Sequence, residues 1–321
     1  MRVAIALTSV LVGCGFRPHN AVSDAPGEGS STADAPADAA SIDGSAQPRD
    51  CMAEWRSGTI AFEPPQLIGE LSTSGIERDP FVSQDELTIY FSHDSPEGDM
   101  DVYTASRAHV GDAFGSASPF DVVNTSSDES KMSISTDGLT LIVCRSVASG
   151  GDDDFMTTRG SAGDAWTTPQ LDDLDTVNDD NYAPYDPELG SDGKTLYFAP
   201  VALDGDPQEL ALATRSDTSS EFGIATIPGY AANAGYGDAD PWIDGSGDVL
   251  VFSRVPIGTG DVDIVYMTAG SNGQFGSVVA VPGVDTAGTA DGDPWVSPDG
   301  CRMYFSSNRA GSYDLYVATA I

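Results

Sequence analysis

Glu77, Asp79, Glu129, Asp186, Asp238, Asp240, Asp291 and Asp293 are the residues of this 321-residue chain whose type and spacing could do chemistry. Three times an acid is followed two residues later by Asp-Pro, as in Glu77-Arg78-Asp79-Pro80, and Asp186-Pro187 repeats the second half of the pattern. A fifth copy reads Glu129-Ser130-Lys131, with a cation in the Asp column. Gathered carboxylates suit two kinds of chemistry. They can hold a hard cation such as Ca²⁺, which takes about six to eight oxygen ligands, or flank a glycosidic bond as acid and base. A third use is structural, because a recurring acid can cap a turn or pair with Arg145, Arg254 or Arg309. Catalytic acids should be singular, whereas these return in one column, so recurrence favours the structural use. The spacing is not that of an EF-hand loop. Trp242 and Trp295 directly follow two of the Asp-Pro pairs, where an aromatic ring either stacks a sugar or fills core.

Other chemistries find no support. The three histidines, His19, His93 and His109, have no metal-ligand spacing and no nucleophile at a fixed offset. Nucleophile-elbow, phosphate-loop and dinucleotide fingerprints are absent from the sequence. A formal net charge of −36, from 50 acidic and 14 basic residues, repels nucleic acid and anionic membrane surfaces and attracts cations.

The elements that must position these acids are repeats. Turn positions Glu86, Gly138, Gly193, Gly247 and Gly300 recur every 52 to 55 residues, each followed by an apolar strand such as LTIYFS, KTLYFA or CRMYFS. Asp299-Gly300 between two apolar runs is a strong hairpin signal. A third strand follows each acidic loop, and a fourth opens on Phe114, Trp166, Phe222 or Phe275. The fifth copy of that outer strand, Phe62 to Thr73, precedes the first meander. A period of about 50 with four strands per unit predicts an all-β chain, a five-bladed β-propeller of four-stranded antiparallel blades, its ring closed by the N-terminal strand. Helical periodicity is not evident in any blade. The loops feeding the inner strands should carry the acids to an axial funnel on one strongly negative face. Tyr182, Tyr185, Tyr230 and Tyr236 in the two longest of these loops are candidates for contact with a partner.

The phrases VNTSSDES, SDGKTLYF, DPWVSPDG and YFSSNRAGSYDLYVAT resemble the bacterial WD-like propeller repeat of the TolB type, found also beside OmpA-like domains in envelope lipoproteins. The resemblance spans residues 62–321 and implies a binding scaffold in the cell envelope. Glu86 in place of Gly, Lys131-Met132 in place of Asp-Pro, and the long third-blade loop depart from the repeat. No blade matches a catalytic signature of the family.

Residues 1–14, MRVAIALTSVLVGC, carry an early cation and an apolar run of signal-peptide length. The ending LVGC resembles a lipobox, which makes Cys14 a lipid attachment site, and Gly15 after it implies an outer-membrane destination. Residues 15–50 are poor in large apolar residues and should form a disordered tether reaching on the order of 30 Å. Residues 51–321 are then the propeller. Export permits disulfides, and Cys301, just after its turn, should meet Cys51, just before the closing strand, while Cys144 should be a small buried thiol. The resulting expectation is a monomeric, lipid-anchored module that binds an envelope protein or glycan through its acidic face, touches membrane only through the anchor, binds no nucleic acid and catalyses nothing. Ca²⁺ is the one cofactor the acids would suit. The alternative is a five-bladed carbohydrate-active enzyme, furanosidase-like, using axial carboxylates.

Overall fold

The computed structural model describes residues 49–94, 98–148, 151–171, 174, 176–178, 182–202, 209–226 and 235–321. The signal segment, Cys14 and the tether to residue 48 lie outside the described residues, as do Tyr230 and the side chain of Tyr182.

Five antiparallel blades surround one axis. Blade one is Glu77–Val82, Thr88–Asp94, Met100–Ser106 and Ser118–Pro119, paired in that order. Blade two is Glu129–Ile134, Thr140–Ser146 and Asp152–Thr158, and its outer strand is reduced to the bridge between Met156 and Gln170. Blade three is Glu188–Leu189, Thr195–Phe198 and Ala211–Thr214, with an outer bridge from Leu212 to Thr226. Blade four is Tyr236–Ile243, Val249–Pro256, Asp263–Thr268 and Val279–Ala280. Blade five takes Asp291–Val296, Arg302–Ser307 and Asp314–Thr319 from the C-terminus and Gln66–Leu67 from the N-terminus, so the chain ends close the ring.

Near-continuous apolar strands such as Val249–Phe252 are buried on both faces because each blade is sandwiched between neighbours. A repeated arginine ties down the outer segments of blades one, two and three. Arg107, Arg159 and Arg215 donate from Nε to the carbonyls of Glu86, Gly138 and Gly193 at 2.8, 2.6 and 2.9 Å. Their guanidinium groups lie over Phe114, Trp166 and Phe222 at 4.4, 4.0 and 4.5 Å. The aromatic that opens each of these outer strands is therefore a cation–π platform.

The closure seam holds one element the repeat pattern did not announce, a helix at Met52–Ser57 ended by Gly58 at φ 74°. Six residues are too few to register as helical periodicity. Met52 and Trp55 turn inward, Trp55 Nε1 donates to the Gly300 carbonyl at 2.9 Å, and the Cys51 N–H donates to the Asp299 carbonyl at 2.7 Å. Cys51 and Cys301 are joined by a disulfide with their Cα atoms 5.1 Å apart. Cys144 is fully buried, as its column of small residues suggests, but the expectation of a free thiol is corrected: no described cysteine is free.

Candidate functional site

The eight acids separate into two layers. The outer layer, Glu77, Glu129, Asp238 and Asp291, is fully buried and paired within its own blade. Strand register sets Glu77 opposite His93, Glu129 opposite Arg145 and Asp238 opposite Arg254. The resulting pairs are 3.1, 2.7 and 2.6 Å long, and Arg309 meets Asp291 at 2.6 Å. The feeding loop adds a second hold. The N–H groups of Thr125 and Thr286 donate to Glu129 and Asp291 at 2.8 and 2.7 Å, and Thr73 bonds Glu77. Burial pushes Glu129 and Asp238 above the usual carboxylate range despite their arginines. At Glu77 burial acts the same way, but the bonds from His93 and Thr73 overcome it and hold the group low.

The inner layer is the Asp-Pro column. Asp79, Asp186, Asp240 and Asp293 all adopt left-handed backbone, at φ 53°, 58°, 51° and 55°. This conformation is tolerated by Asp better than by most side chains and costs on the order of 1–3 kcal/mol where it is held. In blades one, two, four and five the strand register slips at this point, between Arg78 and Phe81, Ser130 and Met132, Ala239 and Trp242, and Gly292 and Trp295. The bulge sets the carboxylates round the axis.

Three of them converge: Asp79, Asp240 and Asp293 each bring an oxygen to within 4.8 Å of the others. These are the three blades with serine in the facing second strand. Ser92 Oγ donates to Asp79 Oδ2 at 2.7 Å, Ser306 Oγ donates to Asp293 Oδ2, and Ser253 bonds the Asp240 carboxyl. Contacts also cross the seams: the Asp293 N–H donates to Ser253 Oγ at 3.0 Å and the Asp240 N–H to Asp186 Oδ2 at 3.4 Å. Arg78 Nε lies 3.3 Å from Asp293 Oδ2.

Lys131 occupies the column in blade two and is buried. Burial and the neighbouring carboxylates push Asp79 and Asp240 up, and Asp186 is pushed up to about 7. Burial would do the same to Asp293, but Arg78 and Lys131 hold it well below the usual range. Lys131, despite burial, is raised by the carboxylates around it.

Toward the turn end of the axis lies a cavity of about 380 Å³ lined by Phe81, Glu188, Leu189, Trp242, Trp295 and residues of the turns. Trp242 and Trp295 thus belong to this end, beneath the acid layers, and both also pack in the inter-blade core. Glu188 stands in the column filled by Phe81, Ser133, Trp242 and Trp295 in the other blades. It accepts from Ser133 Oγ at 3.1 Å, and burial pushes it up to about 8 against the pull of Lys131 and Ser133. Glu188 lies one residue beyond the Asp-Pro pair of blade three, and being the one acid of its column is the signal that marks it in the sequence.

The eight expected acids therefore do not form an open negative surface. Tyr185, one of the loop aromatics, is buried, whereas Tyr236 is exposed beside Arg254, whose guanidinium lies 5.1 Å from its ring.

Fold and site define a five-bladed β-propeller with an acidic axis. No protein-family model matches the chain, and no curated protein matches it. Among solved structures it is similar to the α-L-arabinofuranosidase of Podospora anserina in complex with cellotriose, at 12% identity and TM-score 0.56, covering 82% of this chain and 96% of that one. The endo-arabinase of Bacteroides thetaiotaomicron aligns at 15% identity and TM-score 0.53 over 81% of this chain and 97% of that one. TolB of Acinetobacter baumannii aligns at 13% identity and TM-score 0.47 over 78% of this chain, which spans 56% of that protein's length. At these identities the likeness is one of fold.

Proposed function

We propose that this chain is a lipid-anchored propeller of the cell envelope that binds a protein partner through its loop face and does not catalyse a reaction. The observation that carries the reading is the commitment of the recurring acids. Three are spent on internal ion pairs with arginine and a fourth on His93, and three of the other four crowd to within 4.8 Å of one another, all buried. A glycosidase needs two carboxyl groups about 5–9.5 Å apart flanking an accessible bond. The Cys51–Cys301 disulfide supports an oxidising, exported setting, in keeping with a lipobox at Cys14.

On the loop face, Tyr236 and Ile257 of blade four are exposed side by side, the Ile257 N–H donating to the Gly235 carbonyl. A photocrosslinking residue at 236 or 257 in the native host should trap a partner that one at the exposed Ile224, on the outer side of blade three, does not. Equal trapping at all three positions, or at none, removes the loop face as the binding surface. Metabolic labelling with a palmitate analogue, lost in Cys14→Ser, tests the anchor.

A second reading has one observation in its favour, the cavity that sets Glu188, pushed up to about 8, beside Trp242 and Trp295. A carboxyl held protonated near neutral pH is suited to general acid work. Incubation with arabino-oligosaccharides is expected to give no cleavage. Cleavage that Glu188→Gln abolishes would replace the binding reading with a carbohydrate-active enzyme.

A further inference from the structure

The axial ring sets four carboxylates, Asp79, Asp186, Asp240 and Asp293, against two internal cations, Lys131 and Arg78. Ionised, that set carries two negative charges in excess. Three of the carboxylates point one oxygen each into a common volume no wider than 4.8 Å, from side chains 9, 1 and 0% exposed.

Two of the oxygens are independently incomplete. Asp293 Oδ2 accepts from Arg78, Ser306 and the Asp79 N–H, yet its Oδ1 is buried without a hydrogen-bond partner, and so is Asp240 Oδ2. Lys131 does not answer them, because its Nζ is likewise buried without a hydrogen-bond partner. A buried carboxylate oxygen without a donor is strongly unfavourable unless a proton or a cation completes it.

We propose that Asp79, Asp240 and Asp293 bind one hard divalent cation on the propeller axis, with Ca²⁺ the best match. The donor set is all oxygen, without the imidazole or thiolate that would favour Zn²⁺ or Cu²⁺. A divalent ion brings the set of four carboxylates, Lys131 and Arg78 to neutrality. Ca²⁺ accepts irregular geometry and carboxylates in one- or two-oxygen mode, whereas Mg²⁺ demands a near-ideal octahedron. The ion would join the inner strands of blades one, four and five on the axis. Its role is structural and independent of what the loop face binds.

The test uses the full chain, stripped with EDTA and dialysed into metal-free buffer. Calorimetric titration with CaCl₂ is expected to give one ion per chain and a melting temperature several degrees higher, with a weaker response to MgCl₂. Asp240→Asn, which keeps the shape of the side chain, should weaken Ca²⁺ binding at least roughly tenfold, while the exposed control Asp217→Asn should leave it unchanged. No Ca²⁺ binding by the wild-type chain overturns the proposal, and so does binding that Asp240→Asn leaves intact. Should Asp240→Asn fail to fold, crystals of the wild-type chain soaked in MnCl₂ decide. An anomalous peak among the three carboxylates upholds the site, and a peak elsewhere or none rejects it.

Discussion

Arg254 holds both carboxylate oxygens of Asp238, Nε to Oδ1 at 2.6 Å and Nη2 to Oδ2 at 2.7 Å, in the cross-strand register that also pairs Arg145 with Glu129. Both partners are buried. Removing one member of such a pair strands the other charge, at a cost of about 3–5 kcal/mol, whereas replacing both by apolar groups can be nearly neutral. Arg254→Met should therefore cost more in urea unfolding than Arg254→Met combined with Asp238→Leu. Equal losses would show that the carboxylate is not stranded and that Arg254 acts through packing alone.

Asp285 should give the protein a pH dependence that one atom exchange removes. In blades one and two the equivalent position is Asn124 or Asn178. Each accepts the N–H of the third strand, Val102 or Asp154, and donates Nδ2–H back to that residue's carbonyl at 2.9 Å. Asp285 accepts from the Ile264 N–H at 3.0 Å but, when ionised, has no proton to donate. Burial, opposed by that bond and reinforced by Asp263 and Asp291, pushes it up to about 7. Because the folded value is raised, the native state holds the proton longer than the unfolded chain. Its contribution is complete below about pH 4 and is lost as pH rises to about 7. Asp285→Asn should raise stability by about 1–2 kcal/mol at pH 8 and change it little at pH 4 in paired thermal melts.

The disulfide spans 250 residues of sequence and pins the helix to the turn of blade five. Cys51→Ser with Cys301→Ser should lower stability by about 2–5 kcal/mol in denaturant unfolding. Hydrogen exchange should rise first at Met52–Ser57 and Gln66–Leu67, the elements contributed by the N-terminal side of the seam. Uniform loosening of all five blades would contradict a local latch.

Gly283 and Gly273 separate two reasons for a glycine. Both have positive φ, 90° and 73°, but a Cβ on Gly283 would run into the Phe62 carbonyl, while one on Gly273 meets open space. Gly273→Ala should cost about 1 kcal/mol from backbone conformation. Gly283→Ala should cost clearly more by the same melt, because Phe62, which donates its N–H to the Pro282 carbonyl, must move with the closing strand.

Much of the site was legible as a column and little of it as a set of contacts. Asp79, Asp186, Asp240 and Asp293 announce themselves by the following proline, and Lys131 by interrupting them. Their left-handed backbone does not, because a residue before proline ordinarily prefers extended conformations. Ser92, Ser253 and Ser306 read as a column of small residues. Only facing strands show that their hydroxyls mark the three blades whose carboxylates converge. Glu188 was hidden in a column otherwise held by Phe81, Ser133, Trp242 and Trp295, where a strand pattern predicts burial and says nothing of charge.

The sequence by itself determined the number of blades, their antiparallel strands and the closing of the ring by both chain ends, because these rest on local turns and a repeat of 52 to 55 residues. Tertiary structure alone decided which acids are spent in ion pairs and which meet on the axis. Asp79 and Asp293 lie 214 residues apart, and only a closed ring brings the Asp79 N–H to the Asp293 carboxylate. A repeat unit specifies its own hairpins, but the axis belongs to no single unit, so its charge balance exists only when all five are in place.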